Sequence, residues 1–127
     1  VVTVSIEGVC AHHRVNYFEM GSTDNAAMKV FYGKVFGWTF TDWGEAYVEI
    51  TGAGVSGGFD TERAVNAGAI SGTVVMVYSD DLDATEAAVA KAGGQVAIAA
   101  FDFPGGRRFH FTDPSGNEMA VWTSKAG

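Results

Sequence analysis

The stretch Asn16-Tyr17-Phe18-Glu19-Met20, followed by Ser22-Thr23-Asp24, a helical run from Asn25 to Val35 and then Phe36-Gly37-Trp38, decides the fold because its pattern occurs twice. The second copy is Thr73-Val74-Val75-Met76-Val77-Tyr78, then Ser79-Asp80-Asp81, a helical run from Leu82 to Ala92, and Gly93-Gly94. The separation of Asp24 from Asp81 equals that of Gly37 from Gly94, so the start and stop signals of both helices fall in register. Asp24 and Asp81 stand where a short acceptor side chain satisfies the free N–H groups of a first helical turn. Gly37 and Gly93-Gly94 stand where a left-handed terminator is wanted. Between these signals Ala27, Met28, Phe31, Tyr32 and Val35 recur at three- and four-residue spacing, as do Leu82, Thr85, Ala88, Val89 and Ala92. That spacing predicts two amphipathic helices packed on sheets.

Short β-type runs follow each helix. In the first module they are 39–41, 46–50 and 55–59, broken by Gly44 and by Gly52-Ala53-Gly54; in the second they are 95–98, 108–112 and 118–122, broken by Pro104-Gly105-Gly106 and by Asp113-Pro114-Ser115-Gly116-Asn117. Each module therefore reads βαβββ. The expected organisation is one α+β domain over 1–127, with modules at 14–59 and 72–124 and a polar, glycine-containing link at 60–71.

Composition narrows the class. An apolar fraction of 47% with nine Phe, four Tyr and three Trp suffices for a packed core in 127 residues, and no apolar run is long enough to span a bilayer, so the chain reads as soluble. A net charge of −7 with only eight scattered basic residues opposes a nucleic-acid partner. Arg107-Arg108, beside Gly105-Gly106, reads as a solvated turn in preference to an anion site. Cys10 stands alone, which excludes an intrachain disulfide and a Cys-based zinc site. The apolar opening Val1 to Ala11 lacks the cationic start of a secretion signal and reads as an extended lead-in, leaving the cytoplasm as the default compartment.

The double βαβββ order, Phe31-Tyr32 with Val35-Phe36-Gly37-Trp38, the Asp81-Leu82-Asp83 helix start, Ala92-Gly93-Gly94 and Asp113-Pro114-Ser115-Gly116-Asn117 together resemble the vicinal-oxygen-chelate superfamily of glyoxalases, bleomycin-resistance proteins and ring-cleaving dioxygenases. The resemblance implies two sheets curled into a half-open mixed-sheet barrel whose concave face holds the ligand or metal. It also implies metal-ligand positions at Tyr17 and Val74, each seven residues before its capping Asp, at Gly57-Gly58, and at Ala120. Val, Gly and Ala offer no donor atom, so the expectation is a chain without metal or other cofactor. His12-His13 is no substitute, because adjacent residues on an extended chain diverge.

Strand alternation then fills the expected cup. Phe18 and Met20 pack under the first helix and Tyr17 and Glu19 face inward. Val75 and Val77 pack outward while Val74, Met76 and Tyr78 face in; Met119 and Val121 lie beneath the helices while Glu118, Ala120 and Trp122 face in. Tyr47 joins the set, and the phases of Glu49 and His110 stay open, with Phe109 and Phe111 favouring a His110 turned toward the helices. Core packing competes evenly with ligand contact for Met76 and Tyr78, and core or subunit contact is favoured for Trp122. Glu19 is the first candidate because an inward carboxylate is costly to bury unless paired or used.

The leading functional expectation is a metal-free protein binding a small apolar or aromatic compound through Tyr17, Glu19, Tyr47, Val74, Met76, Tyr78, Ala120 and Trp122, with a homodimer by analogy. The alternatives are a glyoxalase-like lyase or dioxygenase-like enzyme, metal-dependent or using Glu19 and His110 for acid–base chemistry, and a vestigial site with an assembly role.

Overall fold

The computed structural model describes residues 12, 13, 15–66 and 73–125; the expected lead-in through Ala11, with Cys10, and most of the link lie outside them. The described residues form two compact units divided after Val65. Each unit repeats the other's topology. The first contains β1 (Tyr17–Gly21), α1 (Asn25–Phe36), β2 (Thr39–Asp42), β3 (Tyr47–Thr51) and β4 (Ser56–Asp60), with sheet order β1-β4-β3-β2. The second contains β5 (Val75–Tyr78), α2 (Leu82–Lys91), β6 (Gln95–Phe103), β7 (Gly106–Thr112) and β8 (Glu118–Thr123), ordered β5-β8-β7-β6. In each the first strand runs parallel to the last, and the remaining neighbours are antiparallel. The class is α+β, built as two tandem βαβββ modules.

The local signals act as their chemistry requires. Asp24 Oδ1 accepts from the Ala27 amide at 3.1 Å and Asp81 Oδ1 from the Ala84 amide at 3.0 Å, so each carboxylate closes the open first turn of its helix. Gly37, at φ 74, ends α1. Ala92 caps α2 and Gly93 takes the left-handed conformation just beyond it. β6 continues to Phe103, farther than the apolar run at 95–98 indicates, because irregularities in its pairing with β7 carry the ladder onward. His12 and His13 are exposed, but they are not divergent: a turn with His13 at φ 65 stacks their rings 3.7 Å apart.

Each helix covers one face of its own sheet. Under α1, Tyr32 is fully buried, stacking on Trp38 at 4.8 Å and lying 5.5 Å from Phe59; Phe18, Phe40, Val48 and Ile50 share that face. In the second unit Phe109, Phe111, Met119 and Val121 form the covered face, completely or nearly completely buried, with Val75 and Val77 in register beside them.

Truncating Tyr32 to Ala removes the ring that joins α1 to β4 and Trp38. The expected loss is about 3–5 kcal/mol of unfolding free energy, read from urea denaturation midpoints; a loss below 1 kcal/mol would show that the cluster is not a cooperative core.

Candidate functional site

The faces left uncovered by the helices carry the polar chemistry. In the first unit the strand phases place Tyr17 and Glu19 on β1 with Tyr47 and Glu49 on β3 on one uncovered face, with Gly58 of β4 between them in register with Glu19 and Glu49. A side chain at Gly58 would run into the Tyr47 phenol, so the absence of a Cβ there lets Tyr47 lie across β4. Tyr47 donates from its hydroxyl to Glu19 Oε2 at 2.9 Å and accepts from the Tyr17 hydroxyl; Arg63 donates to Glu19 Oε1 at 2.9 Å. The result is an ordered relay from Tyr17 to Tyr47 to a carboxylate neutralised by a guanidinium.

This geometry fixes the protonation of the phenols. Burial pushes Tyr47 far above the ordinary tyrosine value, and its bonds to Tyr17 and Glu19 push it further. Burial also raises Tyr17, opposed by its bond to Tyr47 and assisted by the charges of Glu19 and Glu49. The implied ligand positions do not fit a metal: the Tyr17 hydroxyl is bonded to Tyr47, Gly58 is overlain by Tyr47, and Gly58, Val74 and Ala120 have no side-chain donor.

Glu19 drew attention as a carboxylate buried at a cost. The structure leaves its side chain 32% exposed and paired with Arg63, so that cost is small here. The carboxylates that are withdrawn from water on the uncovered faces are Glu49, 2% exposed and accepting from Trp43 Nε1 at 2.8 Å, and Glu118, 4% exposed. Hydrophobic neighbours conceal them in a sequence pattern, since burial depends on what lies across the sheet.

In the second unit β7 sets the phase of His110. Phe109 and Phe111 pack beneath α2 opposite Val121 and Met119, which turns His110 to the other face, opposite Ala120. The favoured expectation that it faces the helices is thus reversed: its two Phe neighbours are the covered residues. His110 Nδ1 lies 2.8 Å from Glu118 Oε2, both side chains buried, while Nε2 is buried without a hydrogen-bond partner. The Phe101 ring stacks beside the imidazole.

Around this pair the same face carries Met76 and Tyr78, 37% and 46% exposed, with Trp122 in edge contact with Tyr78 at 5.1 Å and with Phe103 at 6.3 Å. Val74 precedes β5 and is partly buried; Ala120 is fully buried at the centre of β8. Hydrogen bonding from Ser124 and then Thr123 holds the exposed Tyr78 phenol below its ordinary value. Arg107 and Arg108 lie in β7, and not in a solvated turn: Arg107 pairs with Asp102 at 2.9 Å, and Arg108 turns to the opposite face, over Phe101 and Phe103. A separate cleft of about 260 Å³ lies at the start of α2, lined by Asp80, Asp81, Asp83, Arg107 and Lys125 among others. It lies apart from the aromatic face and shares none of that face's side chains.

These features place the chain in a family. Residues 14–121 match the Glyoxalase/Bleomycin resistance protein/Dioxygenase superfamily, to which the chain belongs. More particularly, it is similar to the anthracycline biosynthesis protein DnrV of Streptomyces peucetius, 31% identical over 129 residues and matching 84% of this chain and 45% of that one. It is similar also to CFP32 of Mycobacterium tuberculosis, 29% identical over 123 residues and matching 84% of this chain and 44% of that one. The chain thus spans less than half the length of these relatives. Among solved structures, a glyoxalase-related enzyme from Fulvimarina pelagi aligns with TM-score 0.72 at 20% identity over 88% of each chain. TnmS3, an antibiotic binding protein from a Streptomyces species, aligns with TM-score 0.67 at 24% identity over 91% of this chain and 98% of its own. At such identities the likeness concerns the fold alone.

Two outcomes test the site's construction. Because both phenols keep their protons above the ordinary value of 10.0, the unfolded chain releases protons that the native state retains. Their contribution is present below pH 10 and is lost as pH rises beyond it. Melting temperatures of Tyr47→Phe should therefore fall less steeply than wild type above pH 10, and equal slopes would refute the relay. Glu118→Leu strips the buried imidazole of its one hydrogen bond among the described residues, and urea denaturation should show a loss of about 1–3 kcal/mol.

Proposed function

We propose that this chain binds a small apolar or aromatic compound through the uncovered faces of its sheets, without a metal or other cofactor. The observation that carries the reading is the cluster of exposed Met76 and Tyr78 with half-buried Trp122 on the uncovered face of the second sheet, beside buried polar groups. Rings that water touches on one side and that a sheet supports on the other offer stacking area at little entropic cost, while a few polar atoms orient the guest. Within the first sheet the candidate contacts are Tyr17, Glu19 and Tyr47; within the second, Val74 and Ala120 stand on the same face as the cluster. The name of an anthracycline biosynthesis relative agrees with an aromatic guest. The residue types at the family's ligand positions support the metal-free part.

A second reading, acid–base catalysis, is favoured by His110, whose ring is oriented by buried Glu118 in the manner of a base and its orienting carboxylate. We further infer one domain made of the two modules, a cytoplasmic location and a homodimer. The strands β1, β2, β5 and β6 stand at the edges of their sheets, the positions through which sheets associate.

Thermal denaturation with neutral polycyclic aromatic probes tests the binding reading. At a probe concentration of 100 times Kd, wild type should gain about 2.7 kcal/mol, and Tyr78→Ala should lose most of the gain with its unliganded melting point nearly unchanged. No shift across the panel would remove the binding reading. One equivalent of zinc, nickel or iron in protein purified without added metal would remove the metal-free part.

A further inference from the structure

We propose that the compound bound on the second sheet carries an anionic oxygen, a carboxylate or phenolate attached to its ring system, and that Arg108 is the residue that recognises it. This deepens the binding reading above and rests on it.

Arg63 is neutralised by Glu19 and Arg107 by Asp102. Arg108 has no carboxylate among the described residues. Its guanidinium carbon instead lies 5.2 Å from the ring centres of both Phe101 and Phe103. Contact with aromatic faces stabilises a cation but satisfies none of its N–H donors. Arg108 Nε is buried without an acceptor, so part of the charge has lost water and gained no partner. In a chain of net charge −7 carboxylates abound, yet none of the described ones pairs with Arg108.

The position of this cation is specific. Arg108 is in register with Trp122 and Phe101, and shares its face with Tyr78 and with His110, two residues along the strand. His110 Nε2 is a second buried nitrogen without a partner, and Phe101 lies beside both side chains. A planar guest lying against Tyr78 and Trp122 meets the guanidinium at its rim. An anionic oxygen there receives charge-assisted hydrogen bonds from the terminal nitrogens of Arg108 and offsets the partial desolvation of that group. A neutral guest of the same shape gains only the stacking.

The test compares naphthalene carboxylate with the matching carboxamide by isothermal titration on the full chain. The carboxylate should bind about tenfold more tightly, the return expected from one charge-assisted hydrogen bond in a partly desolvated site. Arg108→Met keeps the aliphatic stem over the Phe rings and should abolish the preference without abolishing carboxamide binding; Arg108→Lys should retain part of it. Circular dichroism and melting temperature check that each variant folds, and the wild-type comparison stands without any variant. Equal affinities for the two probes would overturn the anion proposal and leave aromatic binding intact. Failure of both probes to bind would overturn both.

Discussion

The Asp113 carboxylate fixes where the last strand begins, and the second unit's chemistry depends on that start. It accepts from the Ser115 and Asn117 amides at 2.9 and 3.0 Å and from the Asn117 side chain at 3.0 Å, while the Asp113 amide donates to the Asn117 carbonyl. Asn117 Oδ1 in turn accepts from the Asn66 amide, whose carbonyl receives the Glu118 amide, so the turn is tied to the chain entering this unit. A slip of one residue would exchange Glu118, Ala120 and Trp122 for Met119 and Val121 on the uncovered face. That would leave His110 without its carboxylate and cover the aromatic face with aliphatic groups.

The same logic explains why the fold is legible from the sequence and the site only partly. Helix caps and turns are local: Asp24, Asp81, Gly37 and the Asp113–Asn117 turn act within a few residues of themselves, and the sequence carries the whole cause. Alternation is nearly as local wherever one helix-facing residue is recognisable, as with Phe18 and Met20 or Met119 and Val121. At His110 the neighbours Phe109 and Phe111 were the signal, but rings suit either face of such a sheet. The burial of Val121 and Met119 opposite them determines which face they take.

Burial of the carboxylates was not legible for a related reason. Glu19, Glu49 and Glu118 occupy equivalent inward phases, yet Arg63 and open water attend the first while the other two are enclosed. What separates them is the company brought from elsewhere in the chain: Trp43, between β2 and β3, donates to Glu49, and His110 of β7 abuts Glu118. Arg63 lies far along the sequence from Glu19 and carries no motif. Arg108 was visible as half of a basic pair, but only strand phase divides that pair into a neutralised Arg107 and a partnerless cation.

The two modules have diverged on one scaffold in opposite chemical directions. Glu19 and Gly58 are in register in the first sheet as Met76 and Ala120 are in the second, and Glu49 stands opposite Gly58 as His110 stands opposite Ala120. On the first sheet the smallest residue lets a phenol lie flat and close a hydrogen-bonded relay that ends on an ion pair. On the second, Ala120 stands opposite an imidazole whose Nδ1 meets buried Glu118 and whose Nε2 has no hydrogen-bond partner. The first face has consumed its polar groups internally: each phenol and Glu19 is already paired, and a guest must compete with those bonds. The second face holds its unspent donors, Arg108 and His110 Nε2, next to the Tyr78 ring, so a guest there gains bonds without breaking any.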